Sequence, residues 1–163
     1  MNNLKNIESK IFSWDGLRKQ LAIWRFKNKK IVFTNGCFDV LHLGHIEYLA
    51  KARELGGILL IGLNSDESVR RIKGPARPLN DEHARAMALA SFSFVDAIVI
   101  FKEETPLELI RLVRPDTLVK GKDYKEHEIV GNDIVKSYGG QIVTIDLVKG
   151  YSTSQLIEKA RNL

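Results

Sequence analysis

The feature that most constrains the fold is an alternation of short, apolar β-type runs with longer helical patterns. The run Ile58 to Leu63 is unbroken and apolar, as expected for a strand that is covered on both faces. Further strands are expected over residues 30–34, 95–101, 117–120 and 141–145. This order predicts an α/β fold with a doubly wound sheet of five parallel strands and helices on both faces.

Helical patterns fill the intervals between these strands. Helices are expected over residues 16–26, 43–55, 65–71, 80–91, 105–113 and 126–138, and from residue 152 onward. Ser65, Asn80 and Thr105 are expected to cap the helices that follow them. Gly74, Pro75 and Pro78 predict a loop after the helix that is expected over residues 65–71. In Rossmann-like sheets of this kind, ligands bind beyond the carboxyl ends of the strands.

The charge balance favours an anionic partner. The chain of 163 residues carries a formal net charge of +5 and has a sequence pI of about 9.3. Several of the basic residues fall in one stretch, Arg70 to Arg77. Cys37 is the single cysteine, so an internal disulfide is excluded, and the polar start of the chain predicts a cytoplasmic protein without a signal peptide.

The most informative motif is the segment Thr34 to His45, directly after the first expected strand. His42 and His45 are three residues apart at the start of a helix, so they share one face near free backbone N–H groups. Gly44 between them removes a side chain that would crowd a ligand. The pattern favours a phosphate site over the alternative, a metal site formed by Asp39 and the histidines, since neither a thiolate cluster nor a His-Glu-x-x-His pattern accompanies it.

These residues carry a resemblance to a known family. Gly36-Cys37-Phe38-Asp39 with His42-Leu43-Gly44-His45 resembles the cytidylyltransferase-like branch of the nucleotidyltransferases. The resemblance continues through Lys73-Gly74, Lys120-Gly121 and Ser152-Thr153-Ser154. It implies that residues 29–163 form a nucleotidyltransferase domain, on which residues 1–28 pack as an N-terminal helical extension.

Within this family, the likeness is greatest to adenylyltransferases that make ADP-heptose. Arg77-Pro78-Leu79-Asn80, Val119 to Tyr124 and Val130 to Val135 are especially similar. The resemblance implies ATP with Mg²⁺ as one substrate and heptose 1-phosphate, a sugar 1-phosphate, as the other. It also allows a homodimer, and it implies neither a nucleic-acid partner nor a membrane partner.

The resemblance assigns roles to individual residues. His42, His45 and Lys73 are the expected catalytic groups, acting on the triphosphate and on the charge of the transition state. No side chain is assigned as a resident metal ligand, although Asp39 either orients the turn or helps to hold Mg²⁺. The expected nucleotide- or substrate-binding residues are Thr34, Asn35, Gly36, Phe38, Asp39, Gly44, Asn64, Asp66, Arg77, Arg85, Lys120, Gly121, Asp123, Tyr124, Tyr151, Ser152 and Thr153.

Two alternatives stay open on the sequence alone. One is cytidylyl transfer to glycerol 3-phosphate or a related alcohol phosphate, because nothing in the residue pattern separates adenine from cytosine. The other is a non-catalytic module that binds nucleotides or nucleic acid. The second has less support, since basic and aromatic residues are not interleaved as they are on base-stacking surfaces.

Overall fold

The computed structural model describes residues 2–162 as one α/β unit built on a single sheet. Six strands, all parallel, lie in the order β1-β4-β3-β2-β5-β6. The strands are β1 (Ile11–Phe12), β2 (Ile31–Gly36), β3 (Ile58–Asn64), β4 (Ala97–Phe101), β5 (Thr117–Gly121) and β6 (Gln141–Ile145). The helices are α1 (Asn3–Glu8), α2 (Trp14–Phe26), α3 (Leu43–Glu54), α4 (Asp66–Lys73), α5 (Glu82–Ala90), α6 (Leu107–Val113), α7 (Asn132–Ser137) and α8 (Thr153–Arg161).

The doubly wound parallel sheet is confirmed, with helices packed on both of its faces. One apolar cluster joins the sheet to α2, α6 and α7 through residues such as Leu21, Ile110 and Val135. The other joins it to α3 and α5 through Leu49 and Leu89. Every residue of β3 is buried, as its unbroken apolar run predicts.

The prediction of five strands is wrong by one. The additional strand, β1, pairs with β4 through Ile11 opposite Ile98 and Phe12 opposite Val99. A strand of two residues shows no measurable period, so the alternation rule cannot detect it. The segment before residue 28 is therefore not purely helical, because part of it lies in the main sheet. The domain boundary at residue 28 stays a prediction.

Several helix boundaries differ from the expected ones, and three of the differences have a clear local reason. Asp81, not Asn80, caps α5 by accepting from Ala84 N–H, which leaves the Asn80 side chain to bind elsewhere. Pro106, not Thr105, precedes the first residue of α6. The expected helix over residues 126–138 is divided into a 3₁₀ turn, Glu126–Glu128, and α7, because Gly131 takes a left-handed conformation with φ +84° between them.

The sheet sets the position of the motif loops. Thr34, Asn35 and Gly36 pair in register with Ile61, Gly62 and Leu63, so β2 and β3 end side by side. The loops after β2, β5 and β6 consequently meet at one edge of the sheet, which we call the carboxyl edge. Among residues 2–162, no helix is long and apolar enough to cross a bilayer.

Candidate active site

A pocket of about 340 Å³ opens at the carboxyl edge. It is formed by the turn after β2, the start of α3, the end of α4, the loops after β5 and β6, and the start of α8. The predicted site residues on its wall are Asn35, Gly36, Phe38, Asp39, His42, Gly44, His45, Lys73, Lys120, Gly121, Asp123, Tyr124, Tyr151, Ser152 and Thr153. Segments far apart in sequence thus supply a single concave surface.

The two histidines of the motif form a stacked pair on this wall. Their ring centroids are 3.8 Å apart with an interplanar angle of 23°. The Phe38 ring meets His45 edge-on, with centroids 5.2 Å apart. A Cβ atom at Gly44 would lie 3.0 Å from the His42 ring, so glycine is the residue that allows this close stacking. The spacing of the motif therefore specifies a rigid pair of imidazoles at the start of α3.

Both imidazoles are held in a setting that disfavours their charged form. Burial lowers the pKa of His45 to about 4, with smaller contributions in the same direction from His42 and Lys73. Burial also lowers the pKa of His42. The Nδ1 atom of His42 is buried and lacks a hydrogen-bond partner among the described residues. The Val40 carbonyl near the His45 ring opposes the lowering of the His45 pKa without cancelling it. Near neutral pH the pair is uncharged in the free protein, and polar atoms on its rings are left for a ligand.

Asp39 ties the motif turn to the loop that precedes α5. Its carboxylate accepts from Arg77 Nε at 2.7 Å and from the backbone N–H groups of Leu79 and Asn80 at 2.8 and 2.9 Å. The Asn80 side chain donates in addition to the Asp39 carbonyl. Burial alone would raise the pKa of Asp39, but these hydrogen bonds outweigh it and lower the pKa. Of the two roles considered for Asp39, this geometry fits the structural acceptor of the turn.

Arg85 supports the site from behind the pocket wall. It is 1% exposed, and its guanidinium donates to the carbonyls of Cys37 and Asn64 at 2.6 and 2.9 Å and to the Asp66 carboxylate at 2.8 Å. These bonds join the turns after β2 and β3. The predicted residues that lie outside the pocket lining are Thr34, Asn64, Asp66, Arg77 and Arg85. Thr34, Asn64 and Arg85 are buried, whereas Asp66 and Arg77 are half-buried, and together they form a polar frame behind the pocket wall.

Lys73 is the last residue of α4 and reaches the pocket from an exposed position. Gly74 follows with φ +95°, a conformation that glycine adopts without steric cost, and turns the chain into the loop that leads to Arg77. The far end of this loop is fixed by Asp39. Lys73 therefore stands at the end of a helix, where the following loop begins, and its side chain can approach a ligand's phosphates.

The end of β5 supplies a second, half-buried lysine. Burial lowers the pKa of Lys120 to about 8, although the neighbouring Asp123 carboxylate opposes this shift. The Lys120 ammonium lies 5.6 Å from the centroid of the Tyr124 ring. A Cβ atom on Gly121 would lie 2.4 Å from the Asp123 carboxylate, so this glycine lets the loop fold back on itself. Lys120, Asp123 and Tyr124 form one packed cluster in the pocket.

The start of α8 completes the phosphate-facing side. Ser152 caps the helix by accepting from Gln155 N–H at 3.2 Å. The Thr153 hydroxyl donates to the Val40 carbonyl at 3.3 Å, which joins α8 to the motif turn. The N-termini of α3 and α8 thus lie on the same pocket, and both favour negative charge.

Sequence reasoning did not assign five of the lining residues: Cys37, Tyr48, Leu147, Val148 and Ser154. Tyr48 follows His45 by three residues and so shares its helix face, a spacing that core residues also show. Leu147 and Val148 lie in an irregular loop after β6, where sequence pattern gives no information about direction. Cys37 is half-buried and lies on the pocket wall.

The donor set suits a magnesium nucleotide more than a resident metal. Among residues 2–162, histidine, cysteine and acidic side chains do not group in threes as a metal site requires. Both oxygens of the Asp39 carboxylate are already engaged by hydrogen bonds. Lysine, imidazole, hydroxyl and helix N-termini are instead the groups that bind phosphate oxygens.

Known proteins are similar to this chain in sequence and in fold. The profile of the cytidylyltransferase-like family matches residues 33–159. The bifunctional protein HldE of Syntrophotalea carbinolica is 55% identical over 152 residues, which cover 93% of this chain and 31% of that protein. The bifunctional protein HldE of Campylobacter jejuni serotype O:2 is 54% identical over 157 residues, covering 96% of this chain and 32% of that protein. This chain thus spans about a third of the length of these relatives.

A solved structure gives the same relation at the level of the fold. The lipopolysaccharide core biosynthesis protein from Thermoplasma volcanium superposes with a TM-score of 0.61 at 28% sequence identity, covering 76% of this chain and 99% of that one. The family profile covers every lining residue of the pocket, from Asn35 to Ser154. This chain belongs to the cytidylyltransferase-like family and is a nucleotidyltransferase.

Proposed function

We propose that this nucleotidyltransferase transfers AMP from ATP to D-glycero-β-D-manno-heptose 1-phosphate, giving ADP-heptose and pyrophosphate. The observation that carries the proposal is the convergence of a stacked histidine pair, two lysines and two helix N-termini on one pocket. The choice of acceptor rests on the resemblance of residues 77–80, 119–124 and 130–135 to enzymes that make ADP-heptose. The relation to a lipopolysaccharide core biosynthesis protein agrees with a sugar acceptor.

The reaction is a single displacement at phosphorus. An oxygen of the sugar phosphate forms a bond to the α-phosphorus of ATP, and the bond from that phosphorus to the bridging oxygen of the β-phosphate breaks. Pyrophosphate leaves with the electron pair. The nucleophile is already ionised near neutral pH, so a general base is not needed, and the protein contributes position and charge stabilisation.

His42 and His45 act on the phosphates as hydrogen-bond donors. In the free protein they are uncharged near neutral pH, because their pKa values are lowered by burial. An adjacent triphosphate favours the protonated form and raises these pKa values. The pair therefore gains positive charge as negative charge arrives, which places the strongest attraction where the transition state needs it.

Lys73 and the start of α8 hold the leaving pyrophosphate in this proposal. Lys73 is exposed and reaches the pocket from the end of α4, so it can follow the phosphates during the reaction. The N-terminus of α8, with Ser152 and Thr153, faces the same space. Mg²⁺ is expected to arrive with ATP, held by the phosphates, and to neutralise part of their charge.

The test is pyrophosphate release from purified protein with Mg²⁺, each of the four common NTPs, and a panel of phosphorylated sugars and alcohols. We expect turnover with ATP and heptose 1-phosphate, and turnover lower by at least an order of magnitude with every other pair. Turnover with CTP and glycerol 3-phosphate would replace the proposal by a cytidylyl transfer. Absence of turnover with heptose 1-phosphate and any NTP would refute it.

A further inference from the structure

Tyr48 stands out as a pocket residue that the phosphate-binding groups leave without a role. It follows His42 and His45 at three-residue intervals on α3 and lines the same pocket. Its side chain is 7% exposed, and its hydroxyl lies 2.8 Å from the hydroxyl of Thr34 in β2. A buried tyrosine hydroxyl can both donate and accept a hydrogen bond. The contact with Thr34 satisfies only one of these two functions.

The direction of this hydrogen bond follows from the number of hydrogens. Two hydroxyls carry two hydrogens, and their mutual bond uses one of them. Thr34 is fully buried, and its side chain makes no other hydrogen bond among the described residues. If Tyr48 donated, the hydrogen of Thr34 would be buried without an acceptor, which is costly. Thr34 therefore donates to Tyr48, and the hydrogen of Tyr48 is free to point into the pocket.

The position of this free donor indicates which substrate it meets. The triphosphate is attracted to the start of α3, the start of α8 and Lys73. Tyr48 lies almost one helical turn beyond His45, away from the N-terminus of α3, at roughly 1.5 Å of rise per residue. In an in-line displacement, the nucleophile approaches the α-phosphorus from the side opposite to the leaving pyrophosphate. If the triphosphate lies at the start of α3, the part of the pocket next to Tyr48, farther from that N-terminus, is left for the second substrate.

We propose that the Tyr48 hydroxyl donates its hydrogen to an oxygen of the acceptor sugar phosphate, and that Tyr48 is a specificity-determining residue of this enzyme. This inference rests on the proposed function, since it assigns a residue to the acceptor in that reaction. The hydroxyl would favour sugar phosphates that place an oxygen next to it, because a sugar phosphate without that oxygen would leave the buried Tyr48 donor unpaired.

The test compares two single substitutions that break the same internal hydrogen bond. Tyr48→Phe keeps the ring and removes the donor, whereas Thr34→Val removes the partner and keeps the Tyr48 donor. KM for heptose 1-phosphate, KM for ATP and Tm are measured for both variants and the wild type. We expect Tyr48→Phe to raise KM for the acceptor roughly 5- to 10-fold, the effect of losing one neutral hydrogen bond. KM for ATP should change by less than about twofold, because in this proposal Tyr48 does not contact ATP.

A purely structural role for Tyr48 would give a different result. Both variants should lose a similar amount of Tm, because both lose the internal bond, and Tm then serves as the measure of correct folding. An acceptor KM that rises equally in the two variants, or an effect on KM for ATP instead, would overturn the inference. Lack of wild-type turnover with heptose 1-phosphate is a separate outcome, and it would refute the proposed function itself.

Discussion

The two ends of the sheet each carry a cleft, and size does not separate the candidate active site from the other cleft. The cleft at the amino ends of the strands has a volume of about 420 Å³, against about 340 Å³ for the pocket at the carboxyl edge. Both are lined by charged and aromatic side chains. The difference lies in what the polar groups of each cleft already bind.

At the amino end, the charged groups are satisfied within the chain. Arg25 donates to the Val113 carbonyl at 2.6 Å, and Lys30 pairs with Asp116 at 3.1 Å. The guanidinium of Arg114 lies over the Tyr138 ring at 4.8 Å. Asp116 also accepts from Ile31 N–H at 2.8 Å. These contacts hold helices and loops to the start of the strands.

At the carboxyl edge, some buried polar atoms have no such partner. Asn35 Oδ1 and the Nδ1 atom of His42 are buried and unpartnered among the described residues. Because burying a polar atom without a partner is costly, such atoms mark places where a ligand completes the structure. Unsatisfied hydrogen-bonding capacity, more than volume, separates the binding pocket from the structural cleft.

The largest effect expected from this contrast is on His45. Replacing it with alanine should lower kcat by roughly 10²-fold or more, since it removes a group that stabilises transition-state charge. The matched control is His83→Ala, because His83 is exposed on α5 and makes no contact with the pocket. A steady-state assay of pyrophosphate release measures both. A folded His45→Ala protein with nearly normal kcat would return His45 to a structural role.

A smaller effect is expected from Lys73. Lys73→Ala should lower kcat by about 10-fold, because an exposed lysine contributes less than a preorganised buried donor. Lys27→Ala, beyond the end of α2, serves as the control for loss of one surface charge. The same assay applies. Equal rates for the two variants would show that the pocket does not use the lysine at the end of α4.

The amino-end cleft should respond in the opposite manner. Asp116→Ala removes the acceptor of Ile31 N–H and the partner of Lys30, and should lower the free energy of unfolding by about 1 kcal/mol. We expect kcat to stay within about twofold of the wild-type value, because Asp116 lies at the amino ends of the strands, away from the pocket at the carboxyl edge. Urea unfolding and the activity assay test both halves of the statement. Loss of activity without loss of stability would contradict the contrast between the two clefts.

The last expected effect concerns pH and stability. In the unfolded chain, His45 becomes protonated below about pH 6.5. In the folded chain it stays neutral down to about pH 4, because burial lowers the pKa of its imidazole to that value. The unfolded state then binds more protons, so stability falls as pH falls through this window. Tm should decrease from pH 6.5 to pH 4, and it should decrease less in His45→Gln. Parallel Tm curves for the two proteins would show that burial does not shift this histidine.

The sequence predicts most of the sheet and the residues on the pocket wall for the same reason. Long apolar runs such as Ile58 to Leu63 identify buried strands, and their carboxyl ends must meet at one edge. Short-range patterns cannot say which polar residues turn toward the pocket. Arg85 and Asn64, expected at the nucleotide, instead bond to each other under the wall. Tyr48 carries no sequence signal that separates a pocket residue from a core residue, because an aromatic residue at helical spacing is usually core and this residue is only 7% exposed.

The two-residue strand β1 has a consequence for how this chain behaves when shortened. Beside it, β4 consists of the apolar residues Ala97 to Phe101, whose outer backbone groups face the N-terminal segment. Ile98 N–H donates to the Lys10 carbonyl, and the Trp14 indole donates to the Ile100 carbonyl at 3.0 Å. A chain cut back to residue 29 would present this strand as a bare, uncharged edge, the type of template on which proteins aggregate. Residues 10–14 thus cover the edge of β4 and keep it from pairing with another copy of the sheet.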